Sequence, residues 1–255
     1  MPDFPGGWNL PRSLRPAMTT LGTGEGTLVF APPQYPVALS PTRREVAILV
    51  YRAAKRAMDV VVSFTALLLL APVFLIIALV VRLDSAGPVL YRRRVLAKQN
   101  YCYGVPPHAF DAFKFRTMVP DADDILSNDP ELRREYEREF KLREDPRVTR
   151  VGARLRAMSL DELPQLVNVL FGQMTLVGPR MISPPELAMY GEHGAELLSV
   201  KPGLTGLWQV SGRQHIAYRE RVRLDMWYIG RRSLSLDLAI LWRTVGCVLA
   251  RTGAF

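Results

Sequence analysis

The sequence predicts an α/β fold in which short strands and helices pack beside a membrane-inserted helical hairpin, with amphipathic helices lying in the membrane interface. Three observations predict it. Val60 to Val81 is an uncharged, almost wholly apolar run whose straight helical rise, about 33 Å, matches a hydrocarbon core of about 30 Å. Phe113-Lys114-Phe115-Arg116-Thr117-Met118 alternates apolar and basic residues, the period of a half-buried strand. Arg156 to Arg180 carries an adjacent acid pair, Asp161 and Glu162, then a short apolar helix and a strand, Thr175 to Arg180, that ends in the turn Gly178-Pro179-Arg180.

Residues 1–44 are rich in proline and glycine and show no sustained period, so they are expected to lack fixed structure. They contain no uninterrupted apolar core with a small-residue cleavage site, and no signal peptide is read there. Residues 45–90 form the membrane-inserted region. Lys55 and Arg56 precede the apolar run, and Arg82, Arg92, Arg93 and Arg94 follow it, so the preference of basic residues for the cytoplasmic side draws both ends to one face. A re-entrant helix broken at Pro72 satisfies both ends, because proline frees a backbone carbonyl and permits a kink. A kinked single-pass anchor is the plainer alternative by composition. Residues 91–255 then make a cytosolic domain. Within it, the charged stretch from Glu131 to Leu142 reads as an exposed helix. Leu234 to Ala250, interrupted by Asp237 and Arg243, reads as an interfacial or core helix.

The acid pair is the expected seat of chemistry. Pro164 is tolerated only in a first helical turn, which places Asp161 and Glu162 at the helix N-terminus. There, free N–H groups and the helix dipole favour carboxylates and bound phosphates; Gly172 closes the helix. The ordinary reading is an Asp161 N-cap, or a Ser159–Glu162 capping box. The surroundings argue for more. Arg150, Arg154 and Arg156 come just before the pair and Arg180 just after, and guanidinium groups suit phosphate oxygens. Lys114 and Arg116, on one face of their strand, are placed to reach a diphosphate. Lys201 to Arg213 is a turn-rich loop ending on another arginine; Trp208 within it reads as packing rather than a stacking platform.

With 33 Lys and Arg against 24 Asp and Glu, the net charge is +9, which suits anionic lipid and anionic substrates. No helix-turn-helix, zinc-finger or RNA-binding signature appears, so nucleic acid is not an expected partner. Cys102 and Cys247 lie far apart, and His108, His193 and His215 are scattered; neither set has disulfide or metal-ligand spacing.

From Lys55 to Phe255 the chain resembles the bacterial sugar transferases, the monotopic phosphoglycosyl transferases. The resemblance rests on Lys55-Arg56-Ala57-Met58-Asp59, Asp84-Ser85-Ala86-Gly87-Pro88, Lys114-Phe115-Arg116-Thr117-Met118, Ser159-Leu160-Asp161-Glu162-Leu163-Pro164-Gln165, Val177-Gly178-Pro179-Arg180 and Lys201-Pro202-Gly203. Thr205 to Arg213 and Gly253-Ala254-Phe255 look most like the undecaprenyl-phosphate galactose and glucose phosphotransferases that start exopolysaccharide or O-antigen repeats.

The resemblance implies a membrane-associated catalytic domain on the cytosolic face of the bacterial inner membrane. It implies transfer of a hexose 1-phosphate from a UDP-sugar to undecaprenyl phosphate, with Asp161 as the nucleophile that carries the sugar phosphate while UMP leaves. Glu162 would position Mg²⁺ or the incoming phosphate. Because the reaction joins two anions, a hard cation held by Asp161 and Glu162 is expected. Lys114, Arg156, Arg180 and Arg213 are the candidates for the remaining phosphate contacts. The partners are then UDP-sugar, undecaprenyl phosphate and membrane lipid, and a homo-oligomer is compatible with them. Three departures stand out: Ala71-Pro72 where members carry Ser-Pro, Met181 where many carry proline, and a Val95 to Phe110 stretch longer than the usual glycine turn. The competing class is a non-catalytic membrane-anchored scaffold of a polysaccharide assembly complex, its acid pair merely capping a helix.

Overall fold

Pro41–Asp84 forms one helix, α1, in a computed structural model that describes residues 41–99, 107–140, 142, 144–212 and 216–249. Arg213, Cys102, His215, Gly253-Ala254-Phe255, residues 1–40 and the middle of the Val95 to Phe110 stretch lie outside the described residues. The chain divides into two units, Met1–Arg52 and Ala53–Phe255; the second holds all that follows. α1 passes through Pro72 without ending, so the expected break does not split it into two elements. Proline removes one hydrogen bond of the ladder, and the aliphatic residues around it continue the helix.

Glu45–Asp84 is long and apolar enough to cross a membrane, and Val61, Phe64, Leu68, Leu69, Leu75 and Ile76 are exposed. The stretches on either side of this exposed run both dock on the body of the protein. At the first, Lys55 Nζ donates to Asp237 Oδ2 at 2.6 Å and to the Val177 carbonyl at 2.9 Å. Asp59 Oδ1 accepts from the Leu176 N–H at 2.9 Å and the Thr175 hydroxyl at 3.1 Å. At the second, Ile77 and Val81 are buried with Phe115 and Leu155, and the Phe74 and Phe115 ring centroids are 5.5 Å apart. Burying side chains of this size stabilises by about 1.5–3 kcal/mol each.

The sheets are small. β1 (Leu90–Leu96) pairs antiparallel with β2 (Ala109–Phe115), Tyr91 opposite Lys114. The strand expected from Phe113 to Met118 therefore ends earlier, at Phe115. The period of two lapses there, and Arg116 turns away from Lys114. Its guanidinium donates to the carbonyls of Ser85 at 2.6 Å and of Ala86, beyond the end of α1, so it is not one of the cations facing the acid pair. Three consecutive arginines hide β1 from any alternation reading.

Two helices, α2 (Ala122–Asn128) and α3 (Pro130–Glu139), follow. Asp129 caps α3 by accepting from the Glu131 and Leu132 N–H groups, both at 3.0 Å, close to where an exposed helix was expected. α4 (Arg150–Ala157) is capped by Thr149. A Cβ on Gly152 would fall 2.1 Å from the Thr117 carbonyl oxygen, so a glycine is needed for α4 to lie against the end of β2. α5 (Gln165–Leu170) ends at Gly172, whose φ of 80° is the expected left-handed closure. β3 (Thr175–Val177) pairs parallel with β4 (Gly203–Thr205), and α6 (Gly194–Leu198) lies between them in the chain. β4 sits inside the expected turn-rich loop. The chain then forms α7 (Tyr218–Arg231) and α8 (Leu234–Leu249). α8 buries Leu236, Asp237 and Ile240 and exposes Leu238, Trp242 and Val245. The architecture is thus helix-rich, with two two-stranded sheets.

Two buried acids make this fold testable. Lys55→Ala removes the ammonium 2.6 Å from the buried Asp237 carboxylate and is expected to destabilise by about 3–5 kcal/mol, with partial recovery in Lys55→Ala/Asp237→Ala; chemical denaturation in detergent measures it. Asp225 on α7 is 1% exposed and accepts from the Tyr190 hydroxyl at 2.9 Å. Burial pushes its carboxyl up to about 7 from an ordinary 3.8. The folded state therefore holds this proton more tightly than the unfolded chain, and the stabilisation present at low pH is lost as pH rises from about 4 to about 7. Asp225→Asn should flatten that slope, by up to about 4 kcal/mol, in unfolding free energies measured across the range.

Candidate active site

Asp161 and Glu162 do not cap α5. They sit in a single 3₁₀ turn, Leu160–Glu162, between α4 and α5, while Pro164 occupies the N-cap position and contributes no capping side chain. Ser159 turns the chain with a φ of 56° and makes no capping hydrogen bond, so the capping box is not formed. The acids are therefore not accounted for by helix capping. The turn presses both carboxyl groups against β2, whose Lys114 points at them.

Lys114 Nζ lies 2.6 Å from Glu162 Oε1 and 3.9 Å from Asp161 Oδ2. Arg180, just beyond β3, places Nη2 3.2 Å from the same Glu162 oxygen. Arg156 at the end of α4 anchors its Nε on the Thr117 hydroxyl at 2.9 Å, and its charge bears on Asp161. The structure thus gathers three of the four expected cations around the acid pair; the fourth, Arg213, lies outside the described residues. Arg150 and Arg154 are exposed on α4 and take no part in this cluster. Trp208 is buried, as expected for packing.

The two acids have opposite electrostatics. Burial pushes both up, but at Glu162 the Lys114 ammonium and the Arg180 guanidinium outweigh it and hold the carboxyl well below the usual carboxylate range. At Asp161 burial prevails: the carboxyl is raised, with the Glu162 charge adding to the effect and Lys114, Arg156 and Arg180 opposing it. Among the described residues Asp161 has no hydrogen-bond donor closer than the 3.9 Å ammonium, whereas Glu162 is bound twice through one oxygen. One acid is held as a fixed anion; the other has oxygens without a hydrogen bond among the described residues, in a site ringed by cations.

Among the described residues no group of three or more His, Cys, Asp and Glu could hold a metal by itself. Mg²⁺ asks for less, since it typically takes one or two carboxylates and completes its shell with substrate phosphates and water. The Asp161 oxygens and Glu162 Oε2 fit that donor set.

Asn168 was not singled out from sequence. It is fully buried on α5, accepts from the Phe113 N–H at 3.0 Å, and donates to the Asp111 carbonyl at 2.8 Å and to Gln173 Oε1 at 2.7 Å. It therefore sets β2, and Lys114 with it, in register with the dyad turn. Its signal was a lone amide in the apolar run Leu166-Val167-Asn168-Val169. Arg93 was read only as a flanking charge; it pairs with Glu186 at 2.7 Å and adds positive potential at Glu162.

Residues 50–251 match the profile of the family described as bacterial sugar transferase. The chain is 43% identical to an uncharacterized sugar transferase of Haemophilus influenzae over 86% of its length and 46% of the relative's. It is 42% identical to the undecaprenyl-phosphate galactose phosphotransferase of Salmonella typhimurium, over 80% of the chain and 42% of the relative. It is 40% identical to the exopolysaccharide production protein ExoY of Rhizobium meliloti, over 79% of the chain and 88% of the relative. The chain spans about half the length of the first two and most of the third. A profile match across most of the chain, seated on the acid turn and its cations, places this protein in the bacterial sugar transferase family.

Proposed function

We propose that this protein transfers a hexose 1-phosphate, galactose or glucose, from a UDP-sugar to undecaprenyl phosphate, releasing UMP, as the first step in assembling an exopolysaccharide repeat. The observation that carries the reading is the split acid pair: a buried Asp161 that, among the described residues, has no hydrogen-bond donor, beside a Glu162 fixed by Lys114 and Arg180. The names of the relatives, an undecaprenyl-phosphate galactose phosphotransferase and an exopolysaccharide production protein, support the substrate class.

In the first half-reaction an Asp161 carboxylate oxygen attacks the sugar-bearing phosphorus of the UDP-sugar. A P–O bond forms to Asp161, and the bond to the bridging oxygen breaks, its electron pair leaving with UMP. In the second, a phosphate oxygen of undecaprenyl phosphate attacks the same phosphorus and returns the electron pair to Asp161. The product is the lipid diphosphate sugar. Asp161 needs no general base, because a carboxylate is the reactive form. Lys114, Arg156 and Arg180 neutralise the charge that builds on the transferring phosphoryl group and the leaving nucleotide. Mg²⁺ bound by Asp161 and Glu162 would screen the repulsion between the two anionic partners.

The reading also assigns α1 as a re-entrant element. Lys55 and Asp59 before the apolar run, and Ile77 and Val81 in its last turns, contact the same body, while Leu79, Val80 and Leu83 beside them stay exposed. A body on one face of a bilayer touches both ends of a membrane-inserted run when that run leaves by the face it entered. Residues 91–255 then form a cytosolic catalytic domain at the inner membrane, where the soluble nucleotide meets a lipid that cannot leave the bilayer.

Purified protein in nanodiscs with Mg²⁺, undecaprenyl phosphate and UDP-galactose or UDP-glucose in turn is expected to release UMP with one of the sugars, and Asp161→Asn to reduce turnover by about 10³-fold or more. Turnover in Asp161→Asn near that of wild type would defeat the covalent route, and no release with any UDP-sugar would leave the scaffold as the better account. The acid limb of kcat/KM should reflect the raised Asp161 carboxyl, activity rising with pH as the proton leaves. A profile flat through that limb would sink the assignment.

A further inference from the structure

Behind Arg180 the structure holds an aromatic and basic cluster that the proposed chemistry does not use. The Trp208 indole, 7% exposed, carries two guanidinium groups: Arg180 Cζ is 5.7 Å from the ring centroid and Arg221 Cζ 5.0 Å. Arg221 is itself fixed, its Nε donating to the Ile216 carbonyl at 3.0 Å and its Cζ lying 5.7 Å from the Tyr218 ring. Tyr218 meets Tyr190 edge-on at 6.0 Å, and Tyr190 donates to Asp225. The indole N–H is buried, and among the described residues no acceptor reaches it. The ring therefore offers its neighbours a π face rather than a hydrogen bond.

Among the described residues the Arg180 side chain has one other anchor, the 3.2 Å contact with Glu162, and a long side chain with one anchor samples several rotamers. A cation held over an indole face loses that freedom. Arg180 therefore has two anchors: the Glu162 carboxylate in front, whose place a bound diphosphate would share, and the Trp208 ring behind it.

We infer that Trp208, braced by Arg221, is a positioning residue that holds the Arg180 guanidinium aimed at the diphosphate of the nucleotide sugar. This rests on the reading of Arg180 as a phosphate contact in the transferase reaction. The ring acts through Arg180 and does not touch substrate. Its share is mainly in binding, so removing it raises KM for the UDP-sugar more than it lowers kcat.

The test is a double-mutant cycle in the nanodisc UMP-release assay, with Trp208→Leu, Arg180→Ala and the pair, alongside Trp208→Phe, which keeps an aromatic face and drops the N–H. The expected result is a KM for the UDP-sugar raised about tenfold by Trp208→Leu, restored most of the way by Trp208→Phe, and no further loss when Trp208→Leu is added to Arg180→Ala. Additive losses in the pair would overturn the inference, since the ring would then act independently of Arg180. So would equal losses in Trp208→Phe and Trp208→Leu, which would mark a packing role. If Trp208→Leu does not fold, Arg221→Gln takes its place in the cycle with the same non-additivity expected. Failure of the transferase reading looks different: the wild-type protein would release no UMP with any UDP-sugar, whatever Trp208 does.

Discussion

The ion pair between Lys114 and Glu162 governs the rest of the site. Taking two charges out of water is costly unless they are closely paired and further hydrogen-bonded. Here the ammonium sits 2.6 Å from the carboxylate, and Arg180 supplies a second donor to the same oxygen. That triad joins β2, the acid turn and the segment after β3, three pieces far apart in the chain. It also sets the two acids apart electrostatically. With Glu162 pinned as an anion, its charge discourages ionisation of Asp161 next door, while the surrounding cations limit that effect. The contrast between the two carboxyl groups follows from burial at Asp161 and from the Lys114 and Arg180 charges at Glu162.

The same economy of charge appears where α1 meets the body. Lys55 reaches both the Val177 carbonyl and Asp237, Asp59 takes the Leu176 N–H, and Arg56 donates to the Val169 and Leu170 carbonyls at 2.8 and 2.7 Å. These polar contacts cluster in one helical turn before the apolar run. They bind α1 to β3, α5 and α8, elements that also carry the Arg180 segment and support the acid turn. Anchorage of the apolar helix and placement of the site thus share a framework. Movement at Lys55 would be felt through Val177 within a few residues of Arg180.

Much of this was legible in the sequence because it depended on local rules. The acid pair, Pro164 and Gly172 identify a turn and a short helix, and the uncharged run from Val60 declares itself by length alone. The interruption of α8 by Asp237 correctly signalled a helix with one buried side. What could not be read depended on partners distant in the chain. β1 is a strand because β2 lies beside it, not because Arg92-Arg93-Arg94 favours one. Arg116 left the face of Lys114 because the strand stopped one residue earlier and the carbonyls at the end of α1 lacked donors. The dyad was placed at a helix N-terminus by the proline rule, yet the left-handed Ser159 set it one turn earlier, where capping no longer explains it. The register between β2 and α5 turned on Asn168, and a single buried amide does not announce its three partners.

The placement of Arg116 and Lys114 shows how two neighbouring cations of one motif come to serve different ends. Their side chains start two residues apart, and in a continuing strand both would face the acids. Arg116 would then be a fourth cation beside Lys114, Arg156 and Arg180 around two carboxylates. Ending β2 at Phe115 instead buries that ring against Ile77, Val81 and Leu155 and releases Arg116 to the carbonyls of Ser85 and Ala86. The apolar contact fixes the far end of the membrane-associated run; the guanidinium fixes the chain leaving it. A five-residue motif therefore supplies a lysine to the chemistry, a phenylalanine to the core and an arginine to the helix end. Its basic residues are not interchangeable, since one must fit a carboxylate at 2.6 Å and the other must span several carbonyls at once, which a planar guanidinium does and an ammonium does less well.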